Sequence, residues 1–379
     1  MAAADEPPRE AEPPRQGPAW GHAAEPPPRS QPARRRDRSP DGPLLEVEHL
    51  SVRFPTDDGV VNAVRDISYT LSEREVLGIV GESGSGKSVS SLAVMGLLPR
   101  SAQVSGRILL NGKDVLKMSA KEQRSLRGRR IAMIFQDPMT ALNPVYPIGD
   151  QLAEAVRSHE AVSKKIALER ATEMLDLVGI PRPKERLGAY PFEFSGGMRQ
   201  RVMIAMAVIN KPDIIIADEP TTALDVTVQA QILEKLVEVK DAVDAAIVLI
   251  THDLGVVAGM AHRVLVMYAG RAVENGTMDQ VFTSPRMPYT AGLLGSIPNL
   301  DTQGGRLRPI PGAPPSLINL PPGCPFSPRC PLVEDRCQQT EPDLAATDQY
   351  GHVAACHRWG VLADIASPTA IFRAGTGVR

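Results

Sequence analysis

An α/β fold with a buried sheet, and with chemistry placed at the ends of its strands, is predicted by three runs in this sequence. Val76-Leu77-Gly78-Ile79-Val80, Ile214-Ile215-Ile216-Ala217 and Ala245-Ala246-Ile247-Val248-Leu249-Ile250 are short, continuous and apolar, as strands buried on both faces are. Each runs directly into polar residues: a glycine-rich loop from Gly81 to Ser88, the pair Asp218-Glu219, and Thr251-His252-Asp253. Ligands of open α/β sheets bind at such strand ends.

The first of these loops is the most specific. Gly81-Glu82-Ser83-Gly84-Ser85-Gly86-Lys87-Ser88 has the form G-x-x-x-x-G-K-S between a strand and the helical pattern Val89 to Leu98. Its glycines let backbone N–H groups converge on phosphate oxygens, and the helix start adds partial positive charge. Lys87 is placed to reach β- and γ-phosphates, and Ser88 to ligate Mg²⁺.

The chain has 379 residues, enough for two domains or one large domain with an appendage. Its formal net charge of −2 gives no global field for nucleic acid. No apolar stretch reaches bilayer length, and the N-terminus lacks the apolar core of a secretory signal. The expectation is a soluble, cytoplasmic chain that is free to sit on a membrane protein.

Residues 1–43 are rich in Pro, Ala, Arg and Glu and read as a disordered tail. The run Arg34-Arg35-Arg36-Asp37-Arg38 is either a solvated charge cluster or a contact for anionic lipid. From Leu45 to Phe54, and again from Val64 to Leu71, residues alternate as strands do, around the turn Thr56-Asp57-Asp58-Gly59. Phe54 either stacks on an adenine or is an ordinary half-buried strand aromatic. Gly106 to Leu110 with Asn111-Gly112 signals a hairpin. The strand Ile131 to Phe135 ends in Gln136-Asp137-Pro138, and from 137 to 200 the pattern is helical. Ser195-Gly196-Gly197 opens a helix with a capping hydroxyl and exposed N–H groups, a second anion site. One chain has no use for two, which points to a site shared between two subunits. Asp218 suits Mg²⁺ coordination, and Glu219 is placed to orient or deprotonate a water. His252 follows the same strand-end logic and is read as a γ-phosphate contact.

Together these residues resemble one family. Gly81 to Ser88 is similar to its Walker A loop, Gln136 to its Q-loop, Phe194 to Met198 to its signature motif, and Ile214 to Glu219 to Walker B. Ala223-Leu224-Asp225 is similar to the D-loop and His252 to the switch histidine. The chain thus looks like an ABC-transporter ATP-binding subunit over residues 44 to 340. The resemblance implies a P-loop NTPase with a RecA-like core, an antiparallel β subdomain and a helical subdomain. Phe194 and Met198 depart from the usual Leu and Gln of the signature. That departure, with Gln136 to Pro144, Pro288-Tyr289-Thr290, Ser296-Ile297-Pro298, Ile310 to Pro315 and Gly323 to Phe326, resembles the dipeptide/oligopeptide importers. The implied layout is an ATPase domain at 44–283, a C-terminal extension at 284–360 and a tail at 361–379. The implied reaction is ATP hydrolysis with Mg²⁺ held by Ser88, Gln136 and Asp218, and with catalytic roles for Glu219, His252 and Gln136. Ser195, Gly196, Gly197 and Asp225 would serve nucleotide across a head-to-tail dimer. The implied partners are a second ATPase subunit, two permeases and an extracytoplasmic peptide-binding protein, with no nucleic acid. The implied place is the cytoplasmic face of the membrane. The alternatives are an importer of nickel or another small solute and, in a different class, a non-transport ABC ATPase.

All four cysteines, Cys324, Cys330, Cys337 and Cys356, fall in the extension with the spacing C-x5-C-x6-C-x18-C. Four thiolates can hold Zn²⁺ or a [4Fe–4S] cluster, and the spacing does not choose. The importer resemblance implies the iron–sulfur cluster, in a structural role.

Overall fold

The computed structural model describes residues 42–222, 224–297 and 310–372. The N-terminal tail up to residue 41, Ala223 of the D-loop match and Pro298 lie outside them.

In chain order the strands are β1 (Leu45–Thr56), β2 (Gly59–Leu71), β3 (Val76–Val80), β4 (Gln103–Leu110), β5 (Lys113–Asp114) and β6 (Ile131–Ile134). They continue as β7 (Ile214–Asp218), β8 (Ala246–Thr251), β9 (Arg263–Tyr268), β10 (Arg271–Thr277), β11 (Ala345–Ala346) and β12 (Val353–Ala354). They make a four-stranded antiparallel sheet, β2-β1-β4-β5, and an eight-stranded sheet, β11-β12-β10-β9-β3-β8-β7-β6. Within the larger sheet β9, β3, β8, β7 and β6 run parallel, and β10, β12 and β11 continue it antiparallel.

The continuous apolar runs explain the centre of that sheet. Every residue of β3, β7 and β8 is buried, because one face packs on helices and the other on helix Lys87–Val94 and the smaller sheet. Alternation explains β1, whose Leu45, Val47, Leu50 and Val52 are buried between more exposed neighbours. Between β6 and β7 the chain is helical. Helix Ile148–Arg157 buries Ile148, Leu152, Ala153 and Val156, and helix Lys164–Leu177 buries Ala167, Ala171 and Leu175. These i, i+3/i+4 stripes share one apolar core with helix Gly196–Val208.

The extension is built onto this frame. β12 pairs antiparallel with β10, aligning Ala354 with Glu274 and Val353 with Asn275. Glu274 and His352, both fully buried, meet at 2.8 Å, and Arg286 makes two hydrogen bonds to Asp348, at 2.8 and 3.0 Å. Tyr268, Tyr289 and Phe326 form an aromatic cluster with ring centroids 4.6, 5.3 and 5.4 Å apart. Each such pair contributes about 0.5–1.5 kcal/mol beyond area burial.

One sequence reading needs correction. Residues 361–372, expected to be tail, form part of the packed body. Leu362 is fully buried in a small apolar cluster with Ala291, Leu332 and Ile371, and Phe372 packs edge-on against Phe326. Helix Pro288–Gly295 and the cysteine segment leave an apolar seam that their own residues cannot cover, and the C-terminal residues close it.

Candidate nucleotide site

The loop after β3 has the backbone its glycines permit. Gly86 sits at φ +99°, where a Cβ would lie 2.3 Å from the carbonyl oxygen of Ala63, a clash no rotamer relieves. Lys87, at the start of helix Lys87–Val94, folds back over the loop. Its Nζ donates to the carbonyls of Gly81 (2.6 Å) and Glu82 (2.9 Å) and to Ser85 Oγ (3.4 Å). Burial lowers its pKa, against the opposing pull of the Glu219, Asp218 and Glu82 charges.

Parallel pairing of β6, β7 and β8 places Gln136, Asp218-Glu219 and His252 along one end of the sheet. Ser88 Oγ donates to Asp218 Oδ1 at 2.9 Å, joining loop and strand end. Burial raises the Asp218 carboxyl, and the Ser88 hydrogen bond only partly offsets that. Glu219 stands at φ +45°, its N–H donating to the Ile250 carbonyl at 2.9 Å. Its Oε2 accepts from Gln136 Nε2 (3.0 Å) and Thr222 Oγ1 (2.9 Å), and its Oε1 lies 3.1 Å from His252 Nδ1. Burial alone would raise this carboxyl. Hydrogen bonds from His252 and Thr222, with the charges of His252 and Lys87, outweigh burial and hold it below the usual glutamate value. Two adjacent acids are thus pushed in opposite directions, Asp218 by burial and Glu219 by its hydrogen-bond partners. A hydroxyl and a carboxylate at hydrogen-bond distance are hard oxygen donors, and that pair suits Mg²⁺.

The Ser-Gly-Gly turn stands apart. Ser195 Oγ accepts from the Met198 N–H at 3.3 Å, capping helix Gly196–Val208. A Cβ on Gly197 would come within 2.8 Å of Val228, so the turn is packed against the start of helix Val226–Val243. Asp225 caps that helix, its Oδ1 accepting from the Val228 N–H at 3.0 Å. Among the described residues no hydrogen bond joins Ser195–Gly197 to the loop at Gly81–Ser88. Phe54 is half-buried opposite Val61, against the apolar cluster under the smaller sheet.

Sequence reasoning missed four residues. Thr222 lay three positions from Glu219 and was within reach of inspection. Tyr268, Tyr289 and Arg329 approach the loop from far along the chain; Tyr289 lies in the Pro288-Tyr289-Thr290 match, but nothing local signals its contact with the loop. The Glu82 N–H donates to Tyr289 Oη at 2.7 Å, and Arg329 grips the Glu82 carboxylate with Nη1 at 2.6 Å and Nη2 at 2.9 Å.

The four cysteines are unpaired and line one cavity together with Phe326 and His357. Burial first, with neighbouring thiols adding to it, pushes Cys324 up to about 11 and Cys330 up to about 12. Among the described residues no three metal-binding side chains stand in ready-made ligating geometry. The donor set nevertheless has the chemistry of a thiolate-bound metal, four thiols facing one space. No described helix is long and apolar enough to cross a membrane.

Comparison with known proteins supplies the family. Residues 64–222 match the ABC transporter family, and residues 273–337 match the oligopeptide/dipeptide transporter C-terminal region. An oligopeptide transport ATP-binding protein OppD of Mycobacterium tuberculosis is 55% identical over 341 residues, covering 89% of this chain and 55% of that protein. The chain thus spans little more than half the length of the mycobacterial relatives it matches. A dipeptide transport ATP-binding protein DppD of Bacillus subtilis is 57% identical over 301 residues, covering 79% of this chain and 90% of the relative. OppD of Haemophilus influenzae is 52% identical over 314 residues, covering 83% and 97%. Among solved structures, cbiO1 of Clostridium perfringens, part of the ABC transporter complex cbiONQ, aligns with TM-score 0.55 and 27% identity, covering 67% of this chain and 96% of that one. A dimeric ATP-binding cassette bound to ADP and Pi shares the fold at TM-score 0.56 and 24% identity, over 62% and 99% of the two chains. The fold is that of an ABC nucleotide-binding cassette. The chain belongs to the ATP-binding proteins of oligopeptide and dipeptide ABC transporters.

Proposed function

We propose that this chain binds and hydrolyses ATP to power import of di- or oligopeptides, as one of two ATPase subunits on a pair of permeases fed by an extracytoplasmic binding protein. The observation that carries the reading is the convergence on Glu219 of Gln136, Thr222 and His252, one residue from the Asp218–Ser88 contact with the phosphate loop. Its relatives' names, at more than half identity, supply the peptide.

Ser88, Asp218 and the amide oxygen of Gln136 would hold Mg²⁺, which when bound neutralises charge on the β- and γ-phosphates. Lys87 and the loop N–H groups orient those phosphates. Glu219, kept ionised by its hydrogen bonds, accepts a proton from the attacking water, and His252 orients Glu219 and faces the γ-phosphate. Gly84, Ser83 and Ser85 complete the loop's cradle, and Phe54 lies on a strand suited to stack adenine. Ser195, Gly196, Gly197 and Asp225 serve the nucleotide of a partner chain in a head-to-tail pair, since in their own chain they stand apart from the loop. Exposed Met139, Val145, Tyr146 and Phe192, all in the helical segment, give the permeases an apolar surface. Docked there, the chain would work at the cytoplasmic face of the membrane. Cys324, Cys330, Cys337 and Cys356 would hold a [4Fe–4S] cluster, with Zn²⁺ the alternative. Bound metal would cross-link a Pro- and Gly-rich segment.

Reconstitution with the permeases and binding protein tests this. ATP hydrolysis should rise severalfold when the binding protein carries peptide. Stimulation by nickel and not by peptide would replace the substrate, and recovery with nucleic acid and no permease would overturn the transport role. Iron and zinc analysis of anaerobically purified protein decides the metal.

A further inference from the structure

The extension meets the phosphate loop at Glu82, through Tyr289 on its N–H and through a charged pair on its carboxylate. Glu82, the second residue of the phosphate loop, places a carboxylate beside a site built for polyanions. Arg329 covers it with two parallel hydrogen bonds. The guanidinium is almost wholly buried, its side chain 5% exposed, and it is fixed on every side. Nε donates to the Pro311 carbonyl at 3.0 Å, Nη2 to the Ile310 carbonyl at 3.4 Å, and Nη1 to Tyr268 Oη at 3.3 Å. Its Cζ lies over the Tyr268 and Phe326 rings, 5.9 and 5.8 Å from their centroids. Arg329 itself hangs from the tight turn between Cys324 and Cys330, where the Ser327 N–H donates to the Cys324 carbonyl and the Cys330 N–H to the Ser327 carbonyl. The Glu82 carbonyl in turn accepts from Lys87 Nζ at 2.9 Å.

We propose that Arg329 is a positioning residue for ATP: from the C-terminal extension it neutralises and fixes Glu82, and through Glu82 it sets the phosphate loop and Lys87. The proposal rests on the ATPase reading above and is independent of what the cysteines bind. The geometry gives it two parts. A bidentate guanidinium–carboxylate pair defines an orientation as well as a charge. Removing the arginine alone leaves an uncompensated carboxylate, which repels phosphate.

That asymmetry makes the test. In the full chain, titration with a fluorescent ATP analogue and Mg²⁺ should show Arg329→Gln weakening binding by roughly tenfold, about the effect of one lost charge-assisted hydrogen bond passed on to the loop. The double variant Arg329→Gln/Glu82→Gln should bind more tightly than Arg329→Gln alone, because the exposed charge is gone. A merely structural arginine predicts lower melting temperatures with parental nucleotide affinity, or a double variant weaker than either single one; both results would overturn the proposal. If Arg329→Gln does not fold, Arg329→Lys carries the test. It keeps the charge and loses the paired geometry, so intermediate affinity is expected and parental affinity contradicts the proposal. Failure of the ATPase reading would show separately, as a parent protein that does not bind the analogue.

Discussion

At the scale of single residues, Asp218 and Glu219 share a strand end and differ in environment. Asp218 is buried with one hydroxyl for company; Glu219 has three side-chain partners. The raised Asp218 carboxyl makes its linkage to folding definite. Its stabilising contribution is complete below pH 3.8 and is lost as pH rises through its folded value, so at neutral pH the bare carboxylate is a net cost. We therefore expect Asp218→Asn, measured without Mg²⁺ at pH 7, to melt no lower than the parent. It should also lose the parent's Mg²⁺-dependent rise in melting temperature. A lower melting temperature without metal would show that the carboxylate is held by something other than a cation. Gly86→Ala should cost at least about 1–2 kcal/mol, from the positive φ together with the clash on Ala63, and should abolish nucleotide binding. Urea unfolding and nucleotide titration check the two halves. The glycines, Lys87 and the acids were legible in the sequence because each follows an apolar run directly. Thr222, three positions from Glu219, was within reach, and Arg329 was not. Glu82 and Arg329 are 247 positions apart, and nothing near Arg329 announces a partner.

Among elements, the buried strands were the most legible. β3, β7 and β8 are apolar at nearly every position, and a strand so composed has no solvent face to choose. The small strands of the extension were not legible. β11 and β12 have two residues each, and β12 exists only because β10 offers it an edge. The helix caps are local and testable. Ser195→Ala removes the acceptor for the Met198 N–H and should cost about 1 kcal/mol of stability, the usual effect of a lost N-cap. In the assembled transporter the same change should cost much more in turnover, if the turn closes over a partner's nucleotide. Equal, small losses in both measurements would confine Ser195 to capping. Tyr289→Phe keeps the aromatic cluster and strips the Glu82 N–H of its acceptor, a loss of about 1–3 kcal/mol by chemical denaturation.

For the molecule as a whole, the extension is an integral part of the nucleotide-binding cassette. It adds strands to the central sheet, contributes Tyr289, Phe326 and Arg329 around the phosphate loop, and is itself closed by residues 361–372. Those last residues were expected to be tail because they fall beyond the stretch that carries the family resemblance. Yet Leu362 alone supplies a fully buried side chain, and packing of that kind is decided by the surface it meets. Leu362→Ala should cost about 2–5 kcal/mol if the site does not collapse. Seen at this scale, the chain holds one complete phosphate loop with its acids and, elsewhere, a Ser-Gly-Gly turn that its own loop does not use. The simplest assembly that satisfies both is a head-to-tail pair. In that closed pair Glu219 would activate water. This role is tested most directly by Glu219→Gln in the reconstituted transporter, with ATP binding and steady-state hydrolysis measured together. Binding should be retained and turnover reduced to background. Hydrolysis near the parental rate would contradict that role.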